Sequence, residues 1–233
     1  MRNAPAATFL RGSLKKLPFF TLLFCTCIVL IFQARTSPLA MIVLNTEPLS
    51  AGKLPYDWKI TVNHGKPEVS ACQDEGIPCI HLRSVKASFA LERNIDVNPA
   101  EMPYLAWRWK VKQLPSRGDF RYASTDDQAA QVLVAFSDHH VLAYIWDSNA
   151  PKGLFASDTT IPLVHVYAAV CQSGTADLNK WIGESRNVAA DYQRAYGKPA
   201  PAVKGVRLQI NSQHTGSIAE SYFSEVAFRS TPQ

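Results

Sequence analysis

Residues 104–146 constrain the fold more than any other part of the chain. Leu105, Trp107, Trp109 and Val111 there alternate with Ala106, Arg108, Lys110 and Lys112. Such period-two alternation sends apolar side chains to one face and polar ones to the other, the pattern of a strand with one wet face. Residues 131–136 (QVLVAF) and 141–146 (VLAYIW) are apolar at both parities. They read as central strands joined through the short loop Ser137, Asp138, His139, His140. Further strands are predicted over 58–62, 79–83, 89–95, 163–170, 206–210 and 221–229. In the fifth of these, Val206, Leu208 and Ile210 alternate with Arg207, Gln209 and Asn211. Residues 41–54 lead into the first strand.

One short helix is predicted near 187–196. Asn187 caps VAADYQRAY, Gly197 suits the left-handed position after it, and Pro199 and Pro201 stop continuation. About nine strands and one helix give a mainly β chain, an antiparallel two-sheet β-sandwich of jelly-roll or galactose-binding-like type. There is no βαβ alternation, which excludes a parallel α/β enzyme core.

The basic start (Arg2, Arg11, Lys15, Lys16) precedes 18 uncharged residues at 17–34. That order marks residues 1–40 as a signal peptide or a retained membrane anchor, and both remain open. Residues 41–233 are then one β-sandwich domain outside the cytoplasm, periplasmic, soluble or tethered to the inner membrane by 17–34. The chain has 24 Lys and Arg against 19 Asp and Glu. Five of the basic residues and none of the acidic ones precede Met41, so the remainder is balanced at 19 against 19. The pI near 9.0 therefore belongs to the leader and gives no reason to expect a nucleic-acid partner.

Cys25 and Cys27 lie inside the apolar run and read as small fillers. Cys72 and Cys79 flank a turn signal at Asp74, Glu75 and Gly76 and are expected to form a disulfide, with unpaired buried thiols as the alternative. Cys171 sits in an apolar run and reads as an inert core thiol.

Asp126 and Asp127 stand at the entrance of a central strand. They are ligand-binding candidates or turn-formers, and Arg108 is the expected partner for a bidentate pair. Trp107 and Trp109 read as core; Trp146, ending its strand beside Asp147, is a candidate sugar-stacking surface. Arg186, with Asn187 and Asp191 near the helix start, is either a ligand-binding residue or part of a cap and ion pair. Asp138, His139 and His140 lack a third ligand at metal spacing, so no metal is assigned. No nucleophile elbow or catalytic triad pattern is present, and no catalytic residue or cofactor is assigned.

The motifs LAWRWKV, TDDQAAQVLVAF, LAYIWDS, SRNVAADYQRAYG, VKGVRLQIN and SYFSEVAF, in that order, resemble the bacterial family catalogued as domain of unknown function 3047. The resemblance covers residues 54–228 and implies an exported envelope protein of unestablished activity, with the pattern of galactose-binding-like sandwiches. Gln131 stands where the family pattern carries an arginine. INSQHTG, from Ile210, replaces an aspartate-rich D-x-D-N-T-G, which weakens any inherited cation site at Asn211 and Gln213.

These observations favour a non-catalytic domain that binds a glycan or another envelope component. One alternative is a glycan-active enzyme using carboxylates among Asp119, Asp126, Asp127 and Asp147. Another is an assembly protein at the membrane surface.

Overall fold

A computed structural model describes residues 39–45, 53–158 and 165–233. The leader at 17–34 with its two cysteines, part of the 41–54 lead-in, and the start of the strand expected at 163–170 lie outside the described residues. The chain runs through β1 (Ala40–Leu44), β2 (Lys59–His64), β3 (Glu68–Asp74), β4 (Ile77–Val85), β5 (Ser88–Val97) and β6 (Tyr104–Gln113). A 3-10 turn (Ala123–Thr125) precedes β7 (Ala130–Phe136), β8 (His140–Asp147), β9 (Phe155–Asp158) and β10 (His165–Ser173). After β11 (Ile182–Asn187) come the helix α1 (Val188–Tyr196), β12 (Val203–Asn211) and β13 (Ile218–Arg229).

These strands form two sheets, and the chain is a jelly-roll-like β-sandwich with one short helix. The six-stranded sheet has the order β11-β6-β13-β4-β3, with β1 joined to the far half of β13. The seven-stranded sheet has the order β2-β5-β12-β7-β8-β10-β9. One pairing departs from the antiparallel expectation: β8 and β10 run parallel, from His140↔His165 onward. The cause is β9, which lies antiparallel on the outer side of β10 and thereby puts β10 beside β8 in the same direction. The lead-in also contains more structure than expected, because Ala40–Leu44 already pairs with Val226–Arg229.

The core fills the space between the sheets. Trp107 and Trp109 of β6 meet Tyr144 and Trp146 of β8, with ring centroids 5.3 Å (Trp107–Tyr144) and 6.0 Å (Trp109–Trp146) apart. Aromatic pairs of this kind add about 1 kcal/mol each beyond their buried area. A second, smaller apolar cluster lies on the outer face of the seven-stranded sheet, where Phe120 and Ala150 cover Ile145, Ala168 and Val170. This cover explains why residues 131–136 and 141–146 are apolar at both parities. The β6–β7 connection folds back so tightly on itself that a Cβ on Gly118 would collide with the Asp127 carbonyl.

The helix forms as its sequence predicts. Asn187 Oδ1 accepts from the Ala190 N–H at 2.9 Å. Gly197 sits at φ +71° and returns its N–H to the Gln193 carbonyl. Cys72 and Cys79 are directly opposed across β3 and β4, with Cα atoms 5.1 Å apart, and are joined as a disulfide. Cys171 is free and buried, and burial pushes its thiol far above the ordinary range, consistent with an inert role. Among the described residues no helix is long and apolar enough to cross a membrane.

Candidate functional site

A groove crosses the outer face of the seven-stranded sheet. Two continuous cavities form it, of about 500 and about 460 Å³, sharing Leu133, Val166 and Arg207 as common walls. Volumes of this size suit a small ligand or a segment of a longer one.

Strand register explains the lining. Outward positions on neighbouring strands align in rows across the sheet. One row runs Glu92, Arg207, Leu133, Ala143; the next runs Asn94, Gly205, Ala135, Val141, Val166. On the other side of the first row, Gln209 pairs in register with Gln131. The groove is therefore polar on β5 and β12 and aliphatic on β7, β8 and β10.

One end is closed by the loop after the 3-10 turn and by the β12–β13 connection. Asn211 organises that end. Its Oδ1 accepts from the Gln128 N–H at 2.8 Å and from Gln131 Nε2 at 2.7 Å, and its Nδ2 donates to the Asp126 carbonyl at 2.8 Å. Two of the positions where the chain departs from the resembled pattern, Gln131 and Asn211, are thus hydrogen-bonded to each other. Gln213 and His214 project from the same end. The Gln213 Oε1 is buried and accepts no hydrogen bond among the described residues.

Electrostatically the groove is nearly neutral. Arg207 donates to Glu92 at 2.5 Å. Burial alone would raise the Glu92 carboxyl, but hydrogen bonds from Thr61 and Arg207 outweigh it and hold it below the ordinary range. Lys204 pairs with Asp96 at 2.8 Å, and Arg93 with Asp57 at 2.6 Å.

The candidates named from sequence do not converge. Asp126 alone among them lines the groove, where its Oδ1 accepts from Gln128 Nε2 at 2.8 Å. Asp127 is 0% exposed and accepts the backbone N–H groups of His214 (3.3 Å) and Thr215 (2.6 Å), so it clamps the rim from beneath. Arg108 is not its partner. It lies on the outer face of the other sheet, 3.6 Å from Glu225 and over the Trp181 ring. Arg186 makes a bidentate pair with Asp191, at 3.0 and 2.8 Å, and Tyr144 donates to the same carboxylate at 3.0 Å. Trp146 is 0% exposed, with its indole N–H on the Gly174 carbonyl. It presents no stacking face, because it shares the inward parity of Leu142 and Tyr144.

Of the remaining carboxylates, Asp119 is bound by Arg121 through two contacts of 2.8 and 2.6 Å. Asp147 is buried and accepts three backbone N–H groups, from Phe120, Asn149 and Ala150. Burial raises its carboxyl despite those bonds. Both shape loops and neither lines the groove. Among the described residues no group of three or more His, Cys, Asp or Glu side chains is placed to hold a metal ion.

Sequence reasoning missed Arg207, Gln209 and His214. The outward parity of Arg207 and Gln209 was legible, but nothing local distinguishes a groove wall from an ordinary wet face. It also passed over Trp181, half-buried on the outer face of the six-stranded sheet with its indole N–H on Asp74 at 2.9 Å.

Several solved structures share the sandwich. The family 11 carbohydrate-binding module of the cellulase Lic26A-Cel5E of Clostridium thermocellum aligns with a TM-score of 0.44 at 6% identity, over 83% of this chain and 95% of that one. The xyloglucanase domain of NopAA from Sinorhizobium fredii gives 0.46 at 8%, over 82% and 100%. Endoglucanase 3 of Trichoderma harzianum, family GH12, gives 0.42 at 9%, over 86% and 100%. No curated protein matches the chain. The sequence model of one family, described as a protein of unknown function (DUF3047), matches residues 57–227, and the chain belongs to that family.

Proposed function

We propose that this chain is an exported, non-catalytic binding protein whose groove holds a glycan or another hydroxyl-rich envelope component. One observation carries the reading. The amide side chains of Gln209 and Gln213 line one groove above the buried Gln131–Asn211 pair, and the groove's arginines and lysine are already paired with carboxylates. Amides donate and accept at once, so they match hydroxyl groups without demanding a charge from the ligand. Of the four carboxylates weighed for catalysis, three are engaged in loop structure.

Export is supported by the basic and then apolar leader at 1–40 and by the Cys72–Cys79 bond, which persists in an oxidising compartment. The body of 41–233, with β1 begun at Ala40, is read as a single domain that meets the membrane only through its leader. A reporter fused after Gln233 that is active only outside the cytoplasm tests the compartment; cytoplasmic activity overturns it.

The binding test is a glycan array on the purified chain, followed by calorimetry on any hit. Gln209→Ala and His214→Ala each weaken binding about five-fold or more, the cost of about one lost hydrogen bond, without lowering the melting temperature. Uniform silence on the array removes glycans as the ligand. Release of new reducing ends, abolished by Asp126→Asn, replaces binding with catalysis.

A further inference from the structure

We infer that the groove takes an amphiphile: a hydroxylated head group at its amide end and an aliphatic chain on its apolar floor. The inference rests on the reading of this groove as a binding site for a hydroxyl-bearing ligand, and it adds the second half of that ligand.

The floor carries the argument. Ala135, Val141 and Val166 are register neighbours on three adjacent strands, and Leu133 and Ala143 form the row beside them. All five are aliphatic and reach from one cavity into the other; Leu133, Ala135 and Val141 are partly exposed, whereas Ala143 and Val166 are already nearly buried beneath them. A pyranose ring is held best by a flat aromatic face, and this floor offers none. A flexible hydrocarbon chain fits small branched side chains instead, gaining about 0.8 kcal/mol for each methylene removed from water. At Gly205 an added Cβ would rest in ordinary contact with the Ala135 Cβ at 3.9 Å, so the glycine leaves that methyl uncovered on its β12 side.

The two ends of the groove differ in what they can bind. At the apolar end Arg207, Lys204 and Arg93 are each matched by a carboxylate, at 2.5, 2.8 and 2.6 Å. A fatty-acid carboxylate would have to displace one of these partners, so a neutral chain is favoured over a free acid. At the opposite end the buried Gln213 Oε1, without a donor among the described residues, lies beside Asn211 and His214 and can accept from a ligand hydroxyl. A polar head group and an apolar tail are therefore both accommodated, in a fixed orientation along the strands.

The test uses the full-length chain in an amphipathic polymer, titrated with methyl, butyl, hexyl and octyl β-D-glucoside, each below its micelle concentration. Groove variants serve as the reference for partition into the polymer. Dissociation constants are expected to tighten two- to four-fold per added methylene. Ala135→Asp flattens that dependence, so that octyl glucoside binds no more tightly than methyl glucoside. The milder Val141→Thr, which keeps the β-branched shape, reduces the slope and secures the result if the aspartate variant does not fold. Gln209→Ala weakens every member of the series equally. A flat series overturns the amphiphile inference and leaves the glycan reading standing. Octanol or octanoate binding as tightly as octyl glucoside overturns the glycan reading itself. Failure of every member to bind above the reference overturns both.

Discussion

At the residue scale, the double aspartate shows how two neighbours divide labour. Asp126 faces the groove and Asp127 faces the protein, because a tight turn centred on Asp126, closed by the Asp127 N–H on the Thr125 carbonyl at 2.7 Å, turns the two side chains apart. Asp127→Ala strips acceptors from two partly buried backbone N–H groups and is expected to cost about 1–3 kcal/mol, measured as a lowered denaturation midpoint. Asp126→Asn retains an acceptor for Gln128 and is expected to alter ligand affinity more than melting. A third aspartate supplies a pH signature. Burial pushes the Asp138 carboxyl up, but hydrogen bonds from Tyr192, Lys198 and His140 outweigh it and hold the group well below the usual carboxylate range. A depressed folded pKa gives stability that is complete above the unfolded value, about 3.9, and is lost as pH falls toward the folded one. Asp138→Asn therefore lowers stability at pH 7 by about 1 kcal/mol, allowing for its partial exposure. Thermal melts of the two proteins are expected to converge below about pH 4. A gap that stays constant down to pH 2 would remove the ion pairs from the explanation.

At the element scale, what the sequence made legible was parity. The alternation in β6 and β12 placed Trp107, Trp109, Val206 and Leu208 inside correctly, and the cap and stop signals bounded α1. The same parity argument, applied to β8, puts Trp146 beside Leu142 and Tyr144 in the core; its position next to Asp147 was the misleading cue. Beyond the β7–β8 hairpin, strand neighbours were not legible, because pairing between β7 and β12 joins residues about 70–80 positions apart. The Gln131–Asn211 hydrogen bond depends on that pairing. Both residues are buried, so Gln131→Arg alone places a charge among amides and is expected to cost about 3 kcal/mol or more. Adding Asn211→Asp supplies the partner, and the double variant is expected to recover at least half of that loss. A double-mutant cycle measures the coupling; additivity within about 0.5 kcal/mol would mean the two side chains do not interact in solution.

At the scale of the whole molecule, the two-sheet architecture was readable, whereas the groove was not. It arises where a parallel pair, two covering loops and the outer rows of six strands meet, and no stretch of sequence contains that arrangement. The same non-local logic governs how the chain closes. β1 is the first described strand, yet it pairs with the C-terminal end of β13, through Met41↔Phe228 and Leu44↔Val226 and through the Ser230 N–H on the Leu39 carbonyl at 2.8 Å. Arg93 reaches from the other sheet to the Val43 carbonyl and ties β1 to both layers. Val43 and Leu44 of β1 lie in the core, where each is 1% exposed. Leu44→Ala is therefore expected to cost about 3 kcal/mol, which lowers the melting temperature of a domain this size by roughly 6–12 °C. The exposed neighbour provides the control: Ile42→Ala, on the same strand, should shift melting by no more than a few degrees. Equal effects at the two positions would mean that β1 is not docked against the sandwich, and that the first strand of the fold begins only at Lys59.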